Sequence, residues 1–228
     1  MDDRQQATDG RLRRALGARE TDIAPIQAIV RQHGFLVSTV LLIGATALIV
    51  ASVFFPYWRM RLNAPQYPQG LFLTVYVDHL EGDIREIDGL NHYIGMASLR
   101  DAARIEREMG PLAMVAVVLM VASTAFIHGK WFAPLTLPAM FLPLVFLGDM
   151  YYWLRRYGQG LDPRAALSGA VEPFTPAVLG HGTIGQFSTD ASLETGFWLA
   201  VTGSVMINFG LHYRRAARRA AERQRAAT

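Results

Sequence analysis

The stretch FLVSTVLLIGATALIVASVFF, from Phe35 to Phe55, contains no charged residue. A helix needs about 20 residues to cross the hydrocarbon core of a bilayer, and this stretch is long enough to do so. It lies too far into the chain and is too long for the apolar region of a signal peptide, and no clear small-residue cleavage site follows it. We therefore predict a transmembrane helix over residues 35–55.

Three further apolar segments follow, at residues 111–127, 131–153 and 196–212. The length of 228 residues would suit one or two soluble domains, but the clustering of apolar residues overrides that interpretation. The sequence predicts a mainly α, polytopic membrane protein with four transmembrane helices. A small extracytoplasmic α+β insertion is expected between the first and second of them.

The basic residues predict an orientation for these helices. Arginines cluster in the two terminal tails, residues 1–34 and 213–228, and the connection of residues 128–130 holds Lys130. The positive-inside rule places all three on the cytoplasmic side. The loops of residues 56–110 and 154–195 would then be periplasmic in a bacterial inner-membrane protein. The tails are expected to contact anionic lipid, and no recognition motif accompanies their charge to indicate nucleic acid.

The first of these loops carries the signals of a folded insertion. Residues Leu71–Val77 alternate as a strand does, and Ile84–Ile87 is interpreted as a return strand. Asp88 or Asn91 is expected to cap a short helix, and Ser98–Asp101 resembles a capping box that opens another. The second loop reads as irregular with one short strand, Thr183–Phe187.

The stretch GLNHYIGM, Gly89–Met96, holds the strongest candidate metal ligands. His92 and Met96 would share a helix face with Cβ atoms about 5–6 Å apart, and imidazole with thioether is a soft pair suited to Cu(I). The chain has no cysteine, so His79 and His181 in the same two loops are the further candidate ligands. The alternative is a purely structural stretch, with Asn91 capping, Gly95 turning and His92 hydrogen-bonded.

Other chemistry has less support in the sequence. Asp149 is an acid within a predicted span, which favours a functional role by default. An enzyme or transporter that uses Asp149 is therefore a third hypothesis, beside the two given below. His33, His128 and His212 fall at cytoplasmic helix ends and offer no facing pair for a haem. No nucleotide-binding, hydrolase or metalloprotease motif is present, so the sequence predicts no catalytic site.

Five segments together resemble a known family: APQYPQGL (Ala64–Leu71), EIDGLNHYIGM (Glu86–Met96), YGQGLDP (Tyr157–Pro163), VEPFTPAVLG (Val171–Gly180) and TIGQF (Thr183–Phe187). They are similar to bacterial four-helix membrane proteins associated with copper-enzyme maturation, particularly accessory proteins of nitrous oxide reductase systems. The resemblance implies a non-catalytic accessory protein that binds or delivers copper in the periplasm. The alternative is a structural or assembly subunit, without a metal of its own, that docks another membrane or periplasmic protein.

Overall fold

The computed structural model describes residues 33–124, 126–127, 132–167, 169, 171–184 and 187–227. The helices are α1 (His33–Ser52), α2 (Ile84–Ile94), α3 (Arg104–Ser123), α4 (Phe132–Gln159) and α5 (Thr195–Ala227), and a 3-10 turn covers Leu99–Asp101. The strands are β1 (Trp58–Ala64), β2 (Tyr67–Val75), β3 (Leu80–Gly82), β4 (Gly180–Ile184) and β5 (Phe187–Leu193). The N-terminal tail through residue 32 and the connection of residues 128–130 lie outside the described residues.

The prediction of a mainly α fold with four transmembrane helices is wrong. Of the helices that the structure describes, two are long and apolar enough to cross a membrane, namely α1 and α4. Helix α3 opens with a charged turn, Arg104 to Glu108, which leaves a short apolar remainder before the helix ends at Ser123. In α5 the apolar part is interrupted at Asn208, and the helix then continues as an arginine-rich segment through Ala227.

Besides the helices, the described residues form a five-stranded antiparallel sheet with strand order β3-β2-β1-β5-β4. The expected insertion was confined to the first loop, but β4 and β5 come from residues 180–193. The two groups of strands meet where β1 pairs with β5, in the register Trp58 to Leu193 and Arg61 to Asp190. Both loops therefore fold together into one sheet.

Alternation along the strands gives this sheet one buried and one exposed face. In β1 the side chains of Trp58, Met60 and Leu62 point inward, and Arg59 and Arg61 between them are exposed. The inner face packs on Ile87 of α2 and on the C-terminal part of α4, through the side chains of Phe146, Met150 and Leu154. Apolar burial against these two helices thus fixes which way the sheet faces.

The segment after β3 differs from its predicted strand. Residues Ile84–Ile94 form α2, and Asp83 precedes the helix, with its carbonyl accepting from the Ile87 N–H at 3.0 Å. The Asp83 carboxylate accepts from the Phe72 N–H at 2.8 Å, which ties the start of the helix to β2. The return strand is the shorter Leu80–Gly82, which pairs with β2 from Leu73 to Val75.

The described residues separate into two compact units. One is Ile43–Ile207 and contains the whole sheet. The described part of the other consists of residues 33–42 and 208–227. Within this second unit Gly34 and Gly210 allow close approach of α1 and α5, since an added Cβ would lie 3.1 Å from the Ala217 Cβ and 3.3 Å from the Leu42 Cγ, respectively.

Candidate functional site

The C-terminus of α2 is the centre of the GLNHYIGM stretch. Gly95 ends the helix in the left-handed conformation at φ 81°, which glycine adopts without a Cβ penalty. The N–H of Met96 then returns to the carbonyl of Asn91 at 2.8 Å. The sequence predicted the turn at Gly95 correctly, but Asn91 is a buried residue within the helix rather than its N-terminal cap.

A second segment, residues 160–167, is hydrogen-bonded to this helix end. The Asp162 N–H donates to the Gly95 carbonyl at 2.8 Å, and the Leu167 N–H donates to the Tyr93 carbonyl at 2.8 Å. A Cβ on Gly95 would lie 2.6 Å from the Asp162 carbonyl oxygen, so only glycine permits this approach. The stretch therefore joins the two loops by backbone contacts.

A cleft of about 600 Å³ opens between these two segments. It is lined by both residues of the predicted ligand pair, by an aromatic ring and by two charged side chains: His92, Met96, Tyr93, Asp162 and Arg164. The imidazole of His92 is exposed and Met96 is half-buried. Since α2 ends at Ile94, the two do not share a continuous helix face as predicted, but they line the same cleft.

The ends of two helices give the cleft a negative field. Gly95 follows the last turn of α2, Gly160 follows the last turn of α4, and both line the cleft. Helix C-termini carry a partial negative charge of about half an electron and favour cations. The Asp162 carboxylate adds to this field and the Arg164 guanidinium opposes it, so the balance of the lining favours a cation.

His79 occupies a different place, in the turn that connects β2 to β3. Its ring stacks on Tyr76 with centroids 4.4 Å apart, and its Nδ1 lies 2.6 Å from the Asp78 carboxylate. Its Nε2 lies 3.4 Å from the Glu81 carboxylate. The hydrogen bond to Asp78 raises the pKa of His79 above its usual value, and the Asp78 and Glu81 charges add to that effect against partial desolvation.

His181 lies on β4, on the exposed face of the sheet. Its Nδ1 is 2.9 Å from the Asp190 carboxylate, which also accepts from the Asn63 amide at 3.0 Å. These hydrogen bonds, that of His181 first, hold the pKa of Asp190 below its usual range. His79 adjoins β3 and His181 lies on β4, which are the opposite edge strands of the sheet and stand about 19 Å apart at ordinary strand spacing.

The predicted four-residue ligand set is thus brought together only in part. His92 and Met96 share the cleft, and His79 and His181 are at separate places in the sheet. Within the described ranges no group of three or more His, Cys, Asp and Glu side chains is placed to hold a metal ion.

The cleft also contains Asp162 and Arg164, which no pattern in the sequence indicated as site residues. Their sequence signal was only that of a turn, the dipeptide Asp162-Pro163 within YGQGLDP. The Asp162 carboxylate accepts from the Arg164 N–H at 2.9 Å in a local turn of the kind that Asp favours.

Asp149, the acid of the third hypothesis, lies within α4 and is half-buried. Neither Arg155 nor Arg156 forms a salt bridge with it among the described residues, and Arg156 instead donates to the Tyr152 hydroxyl at 2.8 Å. Asp149 does not line the cleft of His92 and Met96.

The segments that carry the family resemblance contact one another in the structure. Gly95 of the second segment meets Asp162 of the third, and the Phe174 N–H of the fourth donates to the Gly158 carbonyl at 3.0 Å. The Trp58 indole at the start of β1 donates to the Val178 carbonyl at 2.6 Å. Much of the distinctive sequence therefore builds one junction between α2, α4 and the described residues 160–167 and 171–180.

A comparison with known protein families found no family that matches this chain, and a comparison with curated proteins found no match either.

Proposed function

We propose that the protein is a non-catalytic accessory protein of the bacterial inner membrane that binds copper in the cleft at the end of α2. The observation that carries the proposal is that His92 and Met96 line this one cleft. The cleft would face the periplasm, where copper would be received or passed to a copper enzyme. The resemblance of the cleft-forming segments to copper-enzyme maturation proteins supports the same function.

The chemistry of the cleft favours a soft monovalent metal. Imidazole and thioether suit Cu(I) better than hard cations such as magnesium or calcium, and the two helix C-termini favour positive charge. Two soft ligands on a cleft open to solvent leave coordination positions for a donor from another molecule. This arrangement suits transfer of the ion better than storage.

The exposed surfaces of α1 and α4 support a membrane location. Both helices are long and apolar enough to cross a bilayer. Their apolar side chains are exposed at positions such as Val40, Ile43, Phe141 and Leu144, which are between 51% and 68% accessible. Exposed apolar side chains along two long helices are typical of a surface that contacts a membrane.

The proposal is tested by Cu(I) titration of the detergent-purified protein against a competing chelator. We expect one bound copper per chain and its loss in the His92→Ala, Met96→Ala double variant. The matched controls are His79→Ala and His181→Ala, which remove imidazoles outside the cleft and should leave the affinity unchanged. Equal copper binding by the cleft double variant and the wild type would disprove the proposal.

A second candidate function is that of an assembly subunit, and the open face of the sheet favours it. A row of side chains from four neighbouring strands crosses this face: Phe72, Arg61, Asp190 and His181. The Arg61 guanidinium lies 5.6 Å from the centre of the exposed Phe72 ring. A partner with matched charges could dock there, and a monodisperse monomer in mild detergent with no co-purifying protein would count against this function.

A further inference from the structure

Exposed aromatic side chains are concentrated where three of the long helices meet the sheet. Phe54 and Phe55 directly follow α1 and are 75% and 43% accessible. Tyr151 and Tyr152 of α4 are 48% and 50% accessible, and Trp198 in the first turn of α5 is 56% accessible. We call these five residues the aromatic belt.

Backbone hydrogen bonds and packing place the belt in a band of the unit Ile43–Ile207 that is about 9 Å deep, the rise along α4 from Phe146 to Tyr152. The Gly196 N–H at the start of α5 donates to the Pro56 carbonyl just after α1 at 2.8 Å. Phe146 of α4, about one turn before Tyr151, packs against Tyr57 and Phe197 in one buried cluster. The ends of α1 and α5 and this part of α4 are therefore side by side.

The chemistry of the surface changes across this band. On the helix side of the belt the exposed residues are apolar, as at Ile43, Leu144 and Val145. On the sheet side the exposed surface is polar and includes Arg155 and Arg156 one turn beyond the two tyrosines. This order of apolar, aromatic and cationic side chains matches the order of acyl chain, interface and phosphate in a phospholipid leaflet.

We propose that the aromatic belt lies in the headgroup region of a phospholipid bilayer, with the phosphates at the level of Arg155 and Arg156. Arg156, which donates to Tyr152 at 2.8 Å and lies over the Trp153 ring at 5.7 Å, is held in place for a phosphate contact. This inference rests on the membrane location in the proposed function and adds the depth of insertion.

The same placement sets the distance of the copper cleft from the lipid headgroups. Gly160, which lines the cleft, is eight positions after Tyr152 and just beyond the end of α4. At 1.5 Å per residue this is a rise of about 12 Å. The cleft is then clear of the lipid and open to a soluble partner.

The absence of cysteine from the chain permits a direct measurement of depth. Single cysteines replace Phe54, Tyr152 or Trp198, each is spin-labelled, and the protein is reconstituted in vesicles of phosphatidylcholine and phosphatidylglycerol. Collision rates with oxygen, which partitions into lipid, and with a water-soluble nickel chelate report the depth of each label. Leu144→Cys is the lipid control and His181→Cys is the water control.

We expect all three belt labels to fall between the two controls. Belt labels as accessible to nickel as the His181 label would overturn the proposal, as would belt labels as deep as the Leu144 label. Copper binding is measured separately in detergent, so failure of the depth measurement and failure of the copper proposal are distinguishable.

Discussion

At the residue scale, Gly95 is a tightly constrained position. It combines a left-handed backbone with a close approach to the Asp162 backbone, and each requirement excludes a side chain. The turn itself could be predicted from the sequence, because a glycine after an apolar helical pattern is a common C-terminal signal. Its partner could not, because nothing near Gly95 in the sequence indicates Asp162.

We expect Gly95→Ala to destabilise the protein by more than the roughly 1–2 kcal/mol that the left-handed conformation alone costs, because the added Cβ also meets Asp162. The control is Gly89→Ala within the same helix, where an added Cβ meets no atom within 4 Å. That change should stabilise by about 0.5–1 kcal/mol. Thermal unfolding in detergent measures both, and similar melting temperatures for the two variants would contradict the assignment of Gly95.

The carboxylates around His79 predict a pH dependence. The pKa of His79 in the folded protein lies above its unfolded value of about 6.5. The stabilisation of the fold by protonated His79 is therefore fully present below about pH 6.5. It is lost as the pH rises through the folded pKa. The sequence predicted His79 as a metal ligand. It did not indicate that the carboxylates of Asp78 and Glu81 would lie beside the two ring nitrogens.

We expect Asp78→Asn to lower the pKa of His79, as followed by the imidazole proton resonances across a pH titration. Glu81→Gln should lower it less, since the Glu81 carboxylate is 3.4 Å from the ring and that of Asp78 is 2.6 Å away. An unchanged His79 titration in Asp78→Asn would refute the assigned cause.

At the scale of elements, alternation predicted a strand over Leu71–Val77, and β2 shares Leu71–Val75 of it but begins earlier, at Tyr67. Leu71 and Leu73 are inward, as their spacing in the sequence indicated. Strand β1 carried the same signal, with Trp58, Met60 and Leu62 alternating with arginines, but its position next to a predicted span obscured it. Ile84–Ile87 is helical, and the Asp83 carbonyl accepts the first hydrogen bond of that helix. Local apolar spacing over four residues cannot distinguish a strand from a helix.

The pairing of β1 with β5 predicts a specific cross-link. In the otherwise cysteine-free chain, Arg59→Cys and Ser192→Cys are register partners on the exposed face and should oxidise readily to a disulfide, as counted by maleimide labelling. Arg59→Cys with Ser188→Cys is the control, since four residues along β5 add about 13 Å. Equal oxidation of the two pairs would show that the loops do not share this register.

At the scale of the whole molecule, composition predicted membrane contact and overestimated the number of spans. The four apolar segments of similar length looked equivalent in the sequence, but the helices that contain them differ in how many charged residues they include. The charged first turn of α3 and the basic extension of α5 separate them from α1 and α4. Charges inside a helix are visible in the sequence, but where the helix begins and ends is not.

An arginine on the exposed apolar surface of α4 should impair membrane insertion. Val145 is 63% accessible, and an arginine at the centre of a span costs about 2.5–3.5 kcal/mol. We expect Val145→Arg to reduce the fraction of protein that resists alkaline carbonate extraction, and Ser192→Arg on the sheet to leave it unchanged. Full retention of Val145→Arg in the membrane pellet would argue against α4 as a span.

The sheet shared by the two loops also governs the order in which the protein can fold. Asn63 and Asp190, which are hydrogen-bonded across β1 and β5, are separated by 127 positions in the chain. During synthesis the hairpin of β1 and β2 is complete long before β5 exists. The edge of β1 that pairs with β5 therefore has no partner strand for most of the synthesis. Such long-range pairing is slow to form, and an open strand edge invites pairing with other chains. The edge of β1 is therefore covered only when α4 and β5 have been synthesised. A chain truncated before residue 187 should be prone to aggregation.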